Sequence, residues 1–331
     1  MSLFSALKEI LTSQLFYTPK APPKESFVGQ TVIVTGGNTG LGLEAARHYA
    51  RAGAETVIIA CRTLSKGEVA KKDIEKTENC TGVLQVWELD LTSYTSVKAF
   101  AERCETLPRL DVVLENAGIF SLNFEKVDCH EKMILVNVIS TFMLALLLLP
   151  TLRASAAKTR TRPFLTIVTS ESHGFTSMPE KEADRIFDEL AREETAGMNA
   201  RYAVSKLLQI LALRHLTRSI IKDRYQYPVV INCVTPGLCH SSLVGNDAGV
   251  TPVILKALLA RTTEVGSRAL VNATGPLGED SAGEYILDDR IWATSPLVQS
   301  DEGAQLAKRV WEELAEILEK ECPGITHNIV E

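Results

Sequence analysis

Residues 31–51 read TVIVTGGNTGLGLEAARHYAR, and the order of residue types in this stretch decides the fold. It opens on a β-rich apolar run over residues 31–35. The turn Thr35-Gly36-Gly37-Asn38-Thr39-Gly40-Leu41-Gly42 follows, and a helical pattern continues through about Arg51. A strand that turns sharply into a helix aims backbone N–H groups and a partial positive charge at one spot, which suits a phosphate. Gly36 allows the tight turn, Gly40 removes a Cβ where a pyrophosphate must approach backbone, and Gly42 lets the helix pack closely on the strand. Asn38, Thr39 and Leu41 belong to the same phosphate-facing turn. An ordinary glycine loop has a similar composition. The strand–turn–helix context in the first βα unit sets this one apart.

Working outward, residues 56–60, 83–89, 111–115, 164–169 and 229–234 are further strand-like runs with helical spacers between them. Strands alternating with helices imply a parallel sheet, and right-handed crossovers then give a doubly wound fold. The expectation is α/β: a single Rossmann-type doubly wound parallel sheet with helices on both faces. Three parts lie outside the rhythm. Leu3, Phe4, Leu7, Ile10, Leu11 and Leu15 recur at helical spacing ahead of a Pro/Lys linker, so residues 1–28 read as an N-terminal amphipathic helix and linker before a domain over 29–331. Residues 174–199 are polar and acidic and, with 243–275, are the expected substrate segments. Residues 301–320 read as a C-terminal helix with an acidic start. The sheet starts only at Thr31, so residues 1–18 are expected to be dispensable for cofactor binding.

Composition narrows the function. With 35 basic against 41 acidic residues the formal charge is -6, which argues against nucleic acid as a partner. The seven cysteines include no CxxC pair, so neither a metal site nor a disulfide framework is indicated, and a reducing, cytoplasmic setting is expected. No secretory signal is visible. The most apolar stretch, residues 134–149, carries Asn137, Ser140 and Thr141 and stops at Pro150. A buried helix is expected there, since a membrane span needs roughly 18 apolar residues. The polar face of the N-terminal helix carries Lys8 and Glu9 and no basic cluster, which argues against membrane contact. A homodimer is compatible with the composition.

The second strand ends Ile59-Ala60-Cys61-Arg62, with Lys66 one helical turn further on. A carboxylate at this strand end would bind an adenosine 2′-OH and repel a 2′-phosphate, whereas an arginine accommodates the phosphate. No carboxylate occupies Ala60 or Cys61, so NADP(H) is expected over NAD(H). Further along, Tyr202-Ala203-Val204-Ser205-Lys206 sits in an apolar-periodic segment. Residues four apart share a helix face, so Tyr202 and Lys206 are neighbours. A free phenol has a pKa of about 10. A nearby ammonium favours the phenolate, and the phenol could then exchange a proton with an alcohol or carbonyl oxygen.

The GxxxGxG turn, Asn116-Ala117-Gly118, the Tyr202/Lys206 pair and Pro236-Gly237 occur in the order of the short-chain dehydrogenase/reductase family, which the chain resembles from about Gln30 to Tyr285. The resemblance implies Ser170 as the hydroxyl that holds the substrate oxygen and Asn137 as the asparagine of a proton relay to Lys206. It implies Asp90 near the adenine, Asn116 and Gly118 along the cofactor, Pro236 and Gly237 close to the nicotinamide, and Ser241 as the hydroxyl that meets the carboxamide. Tyr202 and Lys206 would serve both catalysis and cofactor binding. The family motif around Asn116 usually begins with another Asn; here Glu115 stands in its place. His173 and His240 read as pocket-wall or turn residues. Residues 16–19, 236–241 and 263–268 resemble those of oxidoreductases of fungal secondary metabolism, and Thr169-Ser170-Glu171-Ser172-His173 is similar to the retinol-dehydrogenase and WW-domain-oxidoreductase branch. The reading is an NADP(H)-dependent reductase of a small carbonyl or alcohol substrate. Two alternatives are a lipid or retinoid dehydrogenase on a membrane surface and a non-catalytic NADP(H) sensor. If Arg62 selects the 2′-phosphate, NADPH will bind more tightly than NADH, and Arg62→Asp will move the preference toward NADH. Equal affinity of the unaltered protein for both cofactors, measured by fluorescence titration, contradicts this.

Overall fold

The computed structural model describes residues 11–240 and 260–330. Strands β1 (Thr31–Thr35), β2 (Thr56–Cys61), β3 (Leu84–Glu88), β4 (Val112–Glu115), β5 (Phe164–Val168), β6 (Val230–Val234), β7 (Tyr285–Leu287) and β8 (Arg290–Ile291) form one sheet in the order β8-β7-β6-β5-β4-β1-β2-β3. Pairings from β3 to β7 are parallel; β8 runs antiparallel to β7, with Arg290 opposite Leu287. The doubly wound α/β reading therefore holds. The antiparallel edge is an addition, because β7 and β8 are too short for their alternation to be read. Residues of β1, β5 and β6 are buried without exception, which explains their continuous apolar runs in place of alternation.

Helices α1 (Gly40–Arg51), α2 (Leu64–Glu78) and α6 (Thr263–Asn272) cover one face, where Ala45, Tyr49, Ile74 and Leu270 pack on Val32, Val34 and Ile59. Helices α3 (Tyr94–Cys104), α4 (Thr141–Thr159), α5 (Met198–His215) and α7 (Asp301–Glu321) cover the other, against Ile33, Val113 and Leu165. The winding reverses between β1 and β4, so their carboxyl ends splay around a crevice, the usual ligand position in such sheets.

The helix that carries the apolar stretch continues past Pro150. Helical structure runs from Lys132 to Thr159 and includes a π-helical turn, Leu135–Ser140. Pro150 is exposed, so its ring sits on the solvent side and the helix continues past it. By length and composition this segment could cross a membrane, but 89% of its most apolar window is buried inside the protein. It is a core helix, in line with the sequence.

The acidic segment over 174–199 is docked on the C-terminal helix. Met178, Ile186, Phe187 and Leu190 are buried. The Glu313 carboxylate on α7 accepts hydrogen bonds from the backbone N–H groups of Ile186 and Phe187, both at 3.0 Å. Helix α7 begins at a serine cap, where Ser300 Oγ accepts the Gly303 N–H at 3.0 Å. Packing at the first turn is tight: a Cβ on Gly42 would overlap the Gly36 carbonyl and the Asn116 amide. Gly42→Ala is expected to cost about 1–3 kcal/mol by overpacking; a urea unfolding midpoint equal to that of the unaltered protein contradicts this.

Candidate active site

Four chain segments meet at the carboxyl end of the sheet. The first is the glycine turn. Gly36 and Gly40 have positive φ (66° and 59°), which glycine adopts without strain. No atom lies within 4 Å of a Cβ placed on Gly40, so the space over the start of α1 is open. The Gly36 N–H donates to the Ala60 carbonyl at 2.8 Å. Thr39 is the exposed N-cap residue, and its side chain caps no backbone N–H among the described residues. Asn38 and Leu41 are half-buried beside it.

The second segment leaves β4. Asn116 Nδ2 donates to the Thr35 carbonyl at 2.9 Å, and the Ala117 N–H donates to Thr35 Oγ1 at 2.9 Å. Gly118 faces inward: a Cβ there would stand 3.2 Å from Asn137 Oδ1 and 3.8 Å from Lys206 Nζ.

The third segment is the π-helical turn with Asn137. Its Oδ1 accepts the Ile119 N–H at 2.8 Å, and its Nδ2 donates to the Ile119 carbonyl at 3.0 Å and to Ser205 Oγ at 3.1 Å. Its main-chain carbonyl accepts from Gln209 Nε2 at 2.5 Å.

The fourth segment is α5. Lys206 Nζ donates to the Val168 carbonyl at 2.9 Å and to Gln209 Oε1 at 3.2 Å. Gln209 thus joins Lys206 to the backbone of Asn137. Sequence reasoning missed it, although Gln209 is the polar gap among Leu207, Leu208, Ile210 and Leu211. Tyr202 is half-buried, with its ring edge-on to Phe120 at 5.7 Å between centroids and Lys206 Nζ 5.6 Å from its ring centre. Burial pushes the Tyr202 phenol up to about 12, while a hydrogen bond with the Ser170 side chain pulls the other way. Burial draws the Lys206 ammonium down to about 7. The sequence-based expectation is a phenol lowered by Lys206. In the structure burial governs the phenol, and Lys206 is not among the groups that shift it.

Ser170 stands two residues past the end of β5, and its Oγ accepts the Ser172 N–H at 3.2 Å, while its carbonyl accepts from His173 Nδ1 at 2.8 Å. The Ser295 N–H donates to His173 Nε2 at 3.0 Å, so Nδ1 carries the proton and the ring is neutral. His173 is thus a wall residue that ties Ser170 to the C-terminal segment. Pro236 is buried and Gly237 has φ of 75°; the described chain continues to His240, so Ser241 lies outside the described residues. Arg62 and Lys66 are exposed at the end of β2 and the start of α2, and neither forms a salt bridge among the described residues. Cys61, where NAD-binding folds carry a carboxylate, is buried. Asp90 accepts from the Thr92 N–H at 2.9 Å and Thr92 Oγ1 at 2.7 Å. The open glycine turn, the basic pair at the β2 end and the Gly118 surface are spaced along one crevice, which fits a dinucleotide. Among the described residues no group of three or more His, Cys, Asp or Glu side chains could hold a metal.

A family model described as short chain dehydrogenase matches residues 30–161. The chain is 44% identical over 324 residues to short chain dehydrogenase/reductase dmxR8 of Cryptosporiopsis sp. (strain 8999), covering 96% of this chain and 99% of that one. It is 42% identical over 322 residues to short-chain dehydrogenase anuD of Penicillium roqueforti (strain FM164), covering 95% of this chain and 84% of the relative. Among solved structures, a protein from Mycobacterium paratuberculosis superposes with a TM-score of 0.67 at 25% identity, over 92% of this chain and 97% of that one. An NADPH-bound carbonyl reductase from chicken fatty liver shares the fold, with a TM-score of 0.59 at 19% identity, over 81% of this chain and 100% of that one.

Glu115 ends β4 beside this crevice. It is 3% exposed, and neither carboxyl oxygen has a hydrogen-bond partner among the described residues. Burial pushes its carboxyl well above the usual range, so the side chain stays protonated. The sign follows from linkage. A raised folded-state pKa means that the folded chain keeps a proton the unfolded chain has lost, so stability falls as pH rises from about 4.3 toward the folded value. Glu115→Gln removes this dependence. The variant should match the unaltered protein near pH 4 and become more stable above it, by about 1.4 kcal/mol for each unit by which the carboxyl is raised. Parallel stability–pH curves in urea titrations contradict this.

Proposed function

The chain belongs to the short-chain dehydrogenase/reductase family, and from that premise we propose that it is an NADP(H)-dependent reductase interconverting a carbonyl and an alcohol, with Tyr202 as the acid/base. The observation that carries this reading is the convergence of Tyr202, Ser170 and Lys206 beside Gly118. The Ser170 side chain acts on the Tyr202 hydroxyl against the effect of burial, and Lys206 is held on the same helix by the Val168 carbonyl and Gln209. Bound NADPH would supply the hydride. The Ser170 hydroxyl would orient the substrate oxygen, and the Tyr202 hydroxyl would give that oxygen its proton. A phenol kept neutral by burial is in the right state to donate, which suits the reductive direction. Lys206 would bind the nicotinamide ribose and, when protonated, stabilise the phenolate left behind. Asn137 would hold the water of a proton relay to Lys206, from which the Tyr202 phenolate would recover its proton, while Gln209 fixes Lys206 against the Asn137 backbone. Arg62 and Lys66 would take the 2′-phosphate, Asp90 would lie near the adenine, and the Gly36–Gly42 turn would cradle the pyrophosphate.

The fungal relatives favour a tailoring reductase of secondary metabolism. The NADPH-bound carbonyl reductase of the same fold supports the cofactor and the substrate class. A cytoplasmic setting fits the thiols, none of which forms a disulfide among the described residues. NADPH consumption across a panel of aldehydes, ketones and quinones tests the reading, and the absence of turnover with every carbonyl would favour the sensor alternative. Tyr202→Phe keeps the ring and removes only the hydroxyl, so NADPH should still bind while turnover falls by about 10²–10⁴-fold or more. Substantial turnover by this variant would sink the assignment.

A further inference from the structure

The late start of the sheet predicts that residues 1–18 are dispensable for cofactor binding. The hydrogen bonds of residues 13–20 motivate the opposite reading. The helix described over residues 11–16 ends against Arg261, whose guanidinium is buried. Arg261 Nη2 donates to the Ser13 carbonyl at 3.1 Å, to Ser13 Oγ at 3.2 Å and to the Tyr17 carbonyl at 3.1 Å. A cation at a helix C-terminus satisfies carbonyls that have no partner within the helix and offsets the negative end of its dipole. The same nitrogen pairs with Asp288 Oδ1 at 2.8 Å, and both side chains are almost fully buried. Arg261 Nη1 meanwhile donates to the Pro236 carbonyl at 3.1 Å.

These bonds converge on one turn. Gln14 Nε2 donates to the Leu238 carbonyl at 2.8 Å. The backbones of Leu238 and Arg261 are joined by the Arg261 N–H to the Leu238 carbonyl at 2.9 Å. A Cβ on Gly237 would stand 2.6 Å from Gln14 Oε1 and 2.8 Å from Arg261 Nη1, so the turn is pressed against both. Outside the turn, Tyr17 Oη and the Lys20 N–H each donate to Asp289 Oδ2 at 2.9 Å, which fastens the rest of the segment.

We infer that residues 11–20 are a working part of the dinucleotide site, and that Arg261 is a positioning residue that fixes the Pro236–Leu238 turn for the nicotinamide half of the cofactor. The inference rests on the reading, proposed above, of that turn as the one beside the nicotinamide. Its reach extends to Ser170. The neighbouring Glu171 is half-buried, and its carboxyl is pushed up to about 7, first by desolvation and then by the Asp288 charge, with Arg261 opposing. Loss of Arg261 would leave the buried Asp288 without its ion-pair partner and its charge acting unopposed on Glu171, the residue next to Ser170.

The test compares two ligands on three full-length or near full-length proteins. NADPH spans the whole crevice, whereas 2′,5′-ADP carries only the adenosine end, away from the Pro236–Leu238 turn. In Arg261→Met, and in a chain lacking residues 1–20, the NADPH dissociation constant should rise by about tenfold while that of 2′,5′-ADP stays within about twofold. The truncated chain keeps the test decisive if the buried substitution prevents folding. A general loss of structure would weaken both ligands alike, and that result overturns the inference. Unchanged NADPH affinity in both variants overturns it as well. Failure of the unaltered protein to bind NADPH would overturn the proposed cofactor first, and this inference with it.

Discussion

The site depends on the contact between β1 and the loop leaving β4. At this reversal of winding the two strands must pass close enough to be sheet neighbours, yet their following segments diverge to opposite faces. Asn116 holds the junction by donating to the Thr35 carbonyl, and the Ala117 N–H closes it by donating to Thr35 Oγ1. Gly36 and Gly42 have no side chain because Asn116 and the turn's own carbonyl occupy that space. With the junction closed, the crevice above it has the start of α1 on one side and Gly118 on the other. The position of Gly118 in turn brings the Asn137 amide and the Lys206 ammonium within reach of the same wall.

Burial is the second constraint, and it acts on the chemistry as much as on stability. Lys206 is carried into the core on α5, and among the described residues its ammonium donates to the Val168 carbonyl and Gln209. The same desolvation keeps the Tyr202 phenol protonated. These opposite displacements bring a neutral acid and a readily deprotonated amine together, a pairing suited to donating a proton and then recovering it. The π-helical turn at Asn137 contributes by freeing a main-chain carbonyl to accept from Gln209, in keeping with the frequent placement of π-bulges at functional sites.

A third theme is how much of the crevice is built by segments far apart in the chain. Ser170 is tied through His173 to Ser295, the 174–199 segment is capped by Glu313, and the Pro236 turn is bonded through Arg261 to residues 13–17. Each tie is a short polar bridge between elements that the sheet alone would leave independent. The substrate side of the site is therefore framed by both ends of the described chain.

The sequence by itself determined what depends on local pattern. Continuous apolar runs broken by helical spacers specified six strands of the parallel sheet to within a residue or two. The glycines between β1 and α1 marked the phosphate-facing turn, and the four-residue spacing of Tyr202 and Lys206 placed both on one helix face. These signals are legible because strand burial, turn conformation and helix periodicity are properties of neighbouring residues. Tertiary structure alone decided the rest. Gln209 is a single polar residue in an apolar helix until Lys206 and Asn137 are seen on either side of it. Helix continuity through Pro150 follows from that residue facing solvent, which no pattern around it declares. The Tyr202 phenol lies above its free value because burial is set by Phe120 and the surrounding elements, not by the lysine one turn away. Arg261 and Ser13 are 248 residues apart, and a contact over that distance in the chain leaves no periodicity to read.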